Sequence, residues 1–347
     1  MHRRELLAFF GITAIGSFAK AQERIPIADA HNHLGLLRRN TDSVPKLSSL
    51  MRDSGVSLLS WTVVPDAPFL RVSTSGVEQS RTVNFGELAS SFERQIGNAK
   101  RGIYGSGITI VRTVEDIEKA SKGEPCIVLT TEGADFLEGS LDGLPAAYEE
   151  GIRHIQLVHY IQNKVGDLQT ERPVHSGLSE FGKKLIKALN GQGILIDLAH
   201  STGASIDQAM ELTTVPMIWS HGYISSREPA WTAGGWKARG LSEVHAKKFA
   251  QTKGAVGLWC LSASFGGGLD GYASEIIRMI NLLGPDHVMF GSDEDGLPSG
   301  AVIEQLGDLR KVVEILAKRG LDEKTLRAVA FGNYARCLKS AFSARTA

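Results

Sequence analysis

The chain has 347 residues, 42% of them apolar and 22% charged, with 38 Lys plus Arg against 38 Asp plus Glu. This is the composition of a globular protein with one large core or two small ones. The even charge balance offers no basic field for nucleic acid or for an anionic membrane surface.

The N-terminus reads as an export signal. His2-Arg3-Arg4 precedes an apolar run from Leu6 to Ala19, and Ala19-Lys20-Ala21 supplies a small-x-small cleavage pattern, which makes Gln22 the first mature residue. The run is shorter than the roughly 20 apolar residues that a bilayer span takes. The arginine pair fits a twin-arginine signal, with an ordinary secretory signal as the alternative. Either one delivers residues 22–347, as a single domain, to the periplasm or the exterior.

Apolar strand-like runs then alternate with helical stretches. The first is Ile25 to Leu34, which closes on His31-x-His33. Side chains alternate along an extended chain, so His31 and His33 point the same way. A helix over Ser43 to Ser54 leads to a second strand, Val56 to Val64. Pro65 to Ser80 reads as a long loop, a lid or subunit contact, and Asn84 to Lys100 as an amphipathic helix. Cys126 to Thr131 ends in Glu132, Ile152 to Val158 in His159, Ile194 to Ala199 in His200, and Pro216 to Ser220 in His221. Ala255 to Cys260 is the seventh strand, and His287 to Ser292, ending in Asp293, the eighth. The helices between them are Pro145 to Glu150, Ser179 to Asn190, Ser205 to Leu212, Glu243 to Thr252 and Ser274 to Leu283. Ala301 to Arg319 and Asp322 to Ser340 follow. Cys126, Cys260 and Cys337 lack metal-type spacing and read as buried free thiols.

Continuous apolar runs fit strands buried on both faces, and eight such units fit a (β/α)8 barrel. An open doubly wound sheet explains the alternation. It leaves unexplained why polar residues close so many strands, and no Gly-x-Gly-x-x-Gly turn follows the first strand. In a barrel the C-terminal strand ends share one mouth, which collects His31, His33, Glu132, His159, His200, His221 and Asp293. Such nitrogen and oxygen donors suit zinc, and two ions bridged by a carboxylate would make a hydrolytic site. His154, His175, His245 and His287 read as structural, and Asp197 and Asp295 as supports for their neighbours.

At these residues the chain resembles the renal or membrane dipeptidases, metallopeptidase family M19, within the amidohydrolase-like barrels. The matching stretches are ADAHNHL, TTEGADFLEG, IQLVHYIQNKVGD, GILIDLAHST, PMIWSHG, HVMFGSDEDG and FGNYARCL. The resemblance implies that His31 binds a first zinc, that Glu132 bridges two, and that His200 and His221 bind the second. It implies that His159 sits beside the substrate carbonyl and that Asp293 handles protons at the attacking water and the leaving amine. Arg239 would bind the substrate carboxylate, and the protein would cleave dipeptides, some with a D-residue at the C-terminal side, as a homodimer.

Two positions depart from the family pattern. The family's His-x-Asp is here His31-x-His33, a neutral donor in place of an anion, which leaves open a single metal ion. The family's Arg-Asn is here Arg239-Gly240, after an insert carrying Trp231 and Trp236. The His-x-His also keeps open an amidohydrolase acting on a lactam, lactone or modified peptide. A non-catalytic binding scaffold is the third reading.

Overall fold

A computed structural model describes residues 24–36, 47–73, 76–226, 235–297 and 299–346. The export signal and Trp231 lie outside the described residues. Eight parallel strands are hydrogen-bonded in chain order: β1 (Ile27–Asn32), β2 (Val56–Val63), β3 (Cys126–Glu132), β4 (Ile152–Gln156), β5 (Leu195–Asp197), β6 (Ile218–Trp219), β7 (Ala255–Leu258) and β8 (Val288–Phe290). The chain just after β8 returns to β1. The Asp293 N–H donates to the His31 carbonyl at 3.0 Å, and the His33 N–H to the Glu294 carbonyl at 2.9 Å. These bonds make the sheet a barrel rather than an open doubly wound layer.

Every residue of β1, β2 and β3 is buried, because the barrel interior covers one face and the helices cover the other. Helix α1 spans Leu47–Ser54, α2 Glu87–Ile103, α3 Val114–Ser121, α4 Leu144–Glu150, α5 Glu180–Gln192 and α6 Gly203–Leu212. Helix α7 spans Glu243–Gln251, α8 Gly268–Leu283, α9 Leu306–Lys318, α10 Glu323–Arg327 and α11 Asn333–Ser343. Their starts are written in the sequence. The side chains of Ser179, Thr202, Ser242 and Asp322 each accept the backbone N–H three residues on, which satisfies one of the free donors of a helix N-terminus. Helix α5 then lays Leu185, Ile186 and Leu189 on the barrel.

Several segments differ from the sequence expectation. Within Pro65 to Ser80 the chain makes a short helical turn and an antiparallel hairpin, Leu70–Val72 against Val77–Gln79. Its cross-strand partners Arg71 and Glu78 form an ion pair of 3.3 Å. Helix α3 was not anticipated, although Thr113 and Asp116 form a reciprocal capping box at its start. The single C-terminal helix is two, joined by a π-helical turn over Ala328–Gly332. Asn333 explains the register, since its side-chain amide donates at 2.8 Å to the carbonyls of both Pro285 and Val288 and ties α11 to the start of β8. The FGNYAR stretch is thus a structural clamp. Cys126, Cys260 and Cys337 are buried free thiols, as expected.

Candidate metal centre and active site

Glu132, the last residue of β3, lies at the centre of the barrel mouth. Its Oε2 is 3.3 Å from His33 Nε2 and 3.6 Å from His31 Nε2. Its Oε1 is 3.0 Å from His200 Nε2, 3.3 Å from His221 Nε2 and 3.4 Å from His159 Nε2. Asp293 Oδ1 approaches from the β8 side, 3.3 Å from His33 Nε2 and 3.9 Å from His31 Nε2. The seven residues that close six different strands are therefore brought to one point. His31 and His33 do share a face of β1, and their Nε2 atoms are 3.0 Å apart.

The imidazoles are held from behind. His33 Nδ1 donates to the Thr62 carbonyl at 2.9 Å, which turns Nε2 inward. His221 Nδ1 lies 2.8 Å from the Ser220 hydroxyl, and His31 Nδ1 3.4 Å from the same oxygen. Burial and the Arg239 guanidinium hold His200 well below the ordinary imidazole value, and burial with His31 brings His221 down to about 4. Burial also opposes charge on His33, but the Asp293 and Glu132 carboxylates outweigh it and raise that imidazole to about 10. Against the same burial, the surrounding imidazoles hold Glu132 well below the usual carboxylate range. His200 and Asp293 have left-handed backbones, φ 68° and 58°, a conformation uncommon outside glycine and retained at sites where it aims a side chain.

These contacts test whether the residues fit a metal ion. Two Nε2–Nε2 approaches, 3.0 Å for His31 with His33 and 3.2 Å for His200 with His221, crowd ring nitrogens together beside a carboxylate. A shared cation relieves that arrangement, and neutral imidazole with carboxylate oxygen is a donor set for zinc-type ions. The donor atoms of His31, His33 and Asp293 lie within 4.8 Å of one another, as do those of Glu132, His159 and His200. The residues present fit the group.

The centre opens into a cavity of about 450 Å³ lined by His159, Tyr160, Arg239, Trp259, Asp295 and the hairpin residue Leu70, among others. His159 and Asp293, 8% and 7% exposed, are the most open of the converging residues and so face an incoming substrate. Arg239 lines the cavity but is almost fully buried. Its Nη2 donates to His221 Nε2 at 3.2 Å and its Nε to Gln169 Oε1 at 3.3 Å. Asp197 lies behind the centre, accepting the Ala199 and Ser220 N–H groups on one oxygen and approaching His154 Nε2 at 3.2 Å with the other. Asp295 accepts the Gly35 N–H. Trp236 is at the surface beside Tyr223.

Sequence reasoning missed Asp66, which is fully buried. It holds His159 Nδ1 at 2.7 Å and accepts the Tyr160 N–H at 3.2 Å. Burial disfavours charge on His159, but Asp66 and Glu132 outweigh it and raise the imidazole above its ordinary value. Asp66→Asn is expected to lower kcat about 10- to 100-fold with little change in KM, because an amide cannot fix the His159 tautomer that presents Nε2 to the cavity. Steady-state kinetics check this, and an unchanged kcat would remove His159 orientation from the mechanism.

Also unforeseen was the carboxylate network under the β8 end. Asp29 accepts the Ser292 N–H and hydroxyl, and Asn32 bridges Asp29 and Glu294. Burial, together with Asp29, Asp295 and Asp308, pushes Glu294 up to about 7, while Asn32 works the other way. The folded state therefore holds a proton that the unfolded chain releases near its ordinary value. Glu294 therefore costs no stability below about pH 4.5, and its cost grows as pH rises to about 7, reaching about 3 kcal/mol. Glu294→Gln removes this dependence, so its advantage over wild type in thermal melts grows from pH 4.5 to pH 7. A difference that is flat with pH would contradict the assignment.

A (β/α)8 barrel whose strand ends send imidazoles and carboxylates into one cavity defines the class of metal-dependent hydrolases. The sequence profile of the membrane dipeptidases, peptidase family M19, matches residues 17–347. The chain belongs to this family, whose members are metallopeptidases. It is 23% identical over 245 residues to dipeptidase tcpJ of Claviceps purpurea, covering 68% of this chain and 56% of that one. It is 27% identical over 227 residues to dipeptidase aclJ of Aspergillus oryzae, covering 63% of this chain and 52% of that one. The chain thus spans about half the length of these curated relatives. Among solved structures, a metallopeptidase of Rhodobacter sphaeroides liganded with a phosphinate mimic of L-Ala-D-Ala superposes with a TM-score of 0.75. It has 20% identity and covers 91% of this chain and 99% of that one. An amidohydrolase of Pseudomonas aeruginosa gives a TM-score of 0.72 at 20% identity, covering 92% and 97%. These likenesses agree with the barrel fold.

Proposed function

We propose that the protein is an exported zinc-dependent dipeptidase. The observation that carries this is Glu132, one carboxylate set between two groups of imidazoles at the floor of a cavity large enough for a dipeptide. His31, His33, Asp293 and Glu132 Oε2 would hold one ion, and His200, His221 and Glu132 Oε1 offer donors on the other side. Such a centre supplies Lewis acidity toward a carbonyl oxygen and water acidified to near neutral pH. His159, held at Nδ1 by Asp66 and favoured in its protonated form, points Nε2 at the mouth, where its N–H would donate to the developing oxyanion. Asp293 would take the water proton and return it to the leaving amine. Arg239 is the cation on the inner wall that a peptide carboxylate would meet. The names of the relatives support a dipeptide substrate, and the N-terminal sequence supports export.

The test is hydrolysis of a panel of L–L and L–D dipeptides by zinc-reconstituted mature protein, with and without a chelator. Turnover that the chelator abolishes and zinc restores is the expected result. A folded, zinc-loaded protein inert toward every dipeptide would defeat the reading. Turnover of lactones or lactams in the same panel would replace it with the amidohydrolase alternative that His33 motivates.

A further inference from the structure

The two sides of Glu132 are not equivalent. On the Oε2 side, His31 and His33 are joined by a second carboxylate, Asp293. On the Oε1 side, His159, His200 and His221 share one oxygen of Glu132, and a guanidinium has entered the group. Arg239 Nη2 donates to His221 Nε2 at 3.2 Å, the lone pair that a metal ion on this side would use. Arg239 is 2% exposed, so its charge is not spent on solvent. It is fixed from three directions: Gln169 Oε1 accepts from Nε at 3.3 Å, the Tyr160 hydroxyl lies beside it, and the Trp259 ring sits 5.5 Å from the guanidinium carbon.

Charge counting points the same way. The carboxylates that converge on the mouth are Glu132 and Asp293, because position 33 is a histidine, which binds a metal ion as a neutral donor. One dication on the Asp293 side already balances both. A second would face the first ion and Arg239, and the further carboxylate beside His221, Asp197, is already taken by the Ala199 and Ser220 N–H groups and by His154. Charges a few ångströms apart in a buried site interact strongly enough to shift an equilibrium by orders of magnitude.

We propose that Arg239 is the resident cation of the His200–His221 side, so that the centre holds one divalent ion tightly, on His31, His33, Asp293 and Glu132. A second ion binds there about a hundredfold or more weaker, because it must displace the guanidinium from His221. This rests on the metal-centre reading above.

The experiment is metal stoichiometry by elemental analysis after equilibrium dialysis against buffered free Zn²⁺, for wild type, Arg239→Met, Arg239→Lys and His200→Ala. Co²⁺-substituted samples are followed by absorption and electron paramagnetic resonance. Wild type should retain one ion, with an uncoupled Co²⁺ spectrum, and His200→Ala should retain that same ion. Arg239→Met, which removes the charge but keeps most of the length, should tighten the second ion about a hundredfold and yield a coupled Co²⁺ pair, whereas Arg239→Lys should stay near one. Two ions held by wild type with like affinity would overturn the inference and leave the metal centre standing. So would a folded Arg239→Met that still binds one. A wild type that retains no ion at any free Zn²⁺ tested would overturn the metal centre, and the inference with it. If Arg239→Met does not fold, the wild-type and His200→Ala stoichiometries still decide the matter.

Discussion

Glu132→Gln is expected to lower kcat/KM for dipeptide hydrolysis by at least about a thousandfold, a loss of about 4 kcal/mol of transition-state stabilisation. Both oxygens of Glu132 are committed, Oε2 to His31 and His33 and Oε1 to His159, His200 and His221, all at 3.0 to 3.6 Å. An amide has one acceptor oxygen, and its nitrogen can only donate. Whichever way it lies, one group of imidazoles loses its anionic neighbour. The glutamate is ionised in place, since the imidazoles around it outweigh the cost of burial. The substitution therefore removes a charge as well as an acceptor, and metal retention should fall together with activity. The packing of β3 does not depend on that carboxylate, so the variant should fold. Kinetics, metal analysis and a thermal melt on one preparation check the three parts. Wild-type activity with full metal content would place the chemistry elsewhere.

The barrel was legible because strands buried on two faces are mostly apolar, and a ligand-type residue at the end of each run marks where the strand leaves the core. That one rule located Glu132, His159, His200, His221 and Asp293. Strand lengths were less legible. The run Pro216 to Ser220 contains only a two-residue strand, Ile218–Trp219, because apolar residues continue past the ladder into buried turns. Asp66 was hidden for a different reason. In Pro65-Asp66-Ala67-Pro68 it looks like a turn residue, and its partner His159 lies just past the end of β4, 93 positions away. Pattern reasoning on one segment has no access to such a pairing. Arg239 was found through the resemblance, but its contact with His221 depends on how the chain from Trp236 to Ser242 packs over the mouth, which no local pattern encodes. The capping box of α3 was present in the sequence and would have located that helix.

Asp293→Asn is expected to reduce kcat by about 100- to 10,000-fold, the range general acid–base groups supply, while the centre still takes up its ion at saturating zinc. The geometry allows a clean substitution. Asp293 has φ 58°, and asparagine is among the few residues that tolerate the left-handed region. Its backbone N–H, bonded to the His31 carbonyl and closing the barrel, is unaffected. The amide oxygen can still lie near His33 Nε2, where the carboxylate oxygen is at 3.3 Å, but it cannot accept a proton from water or pass one to an amine. A proton acceptor must be ionised at working pH, and Asp293 is. Burial opposes its charge, yet the hydrogen bond from His33 and the nearby imidazoles hold it below its ordinary value. The measurement is kcat alongside bound zinc. A large fall in kcat with zinc retained assigns Asp293 to proton transfer. A fall that tracks loss of zinc, and is reversed by excess metal, assigns it to holding the ion alone and leaves the proton without a carrier among the residues facing the cavity floor.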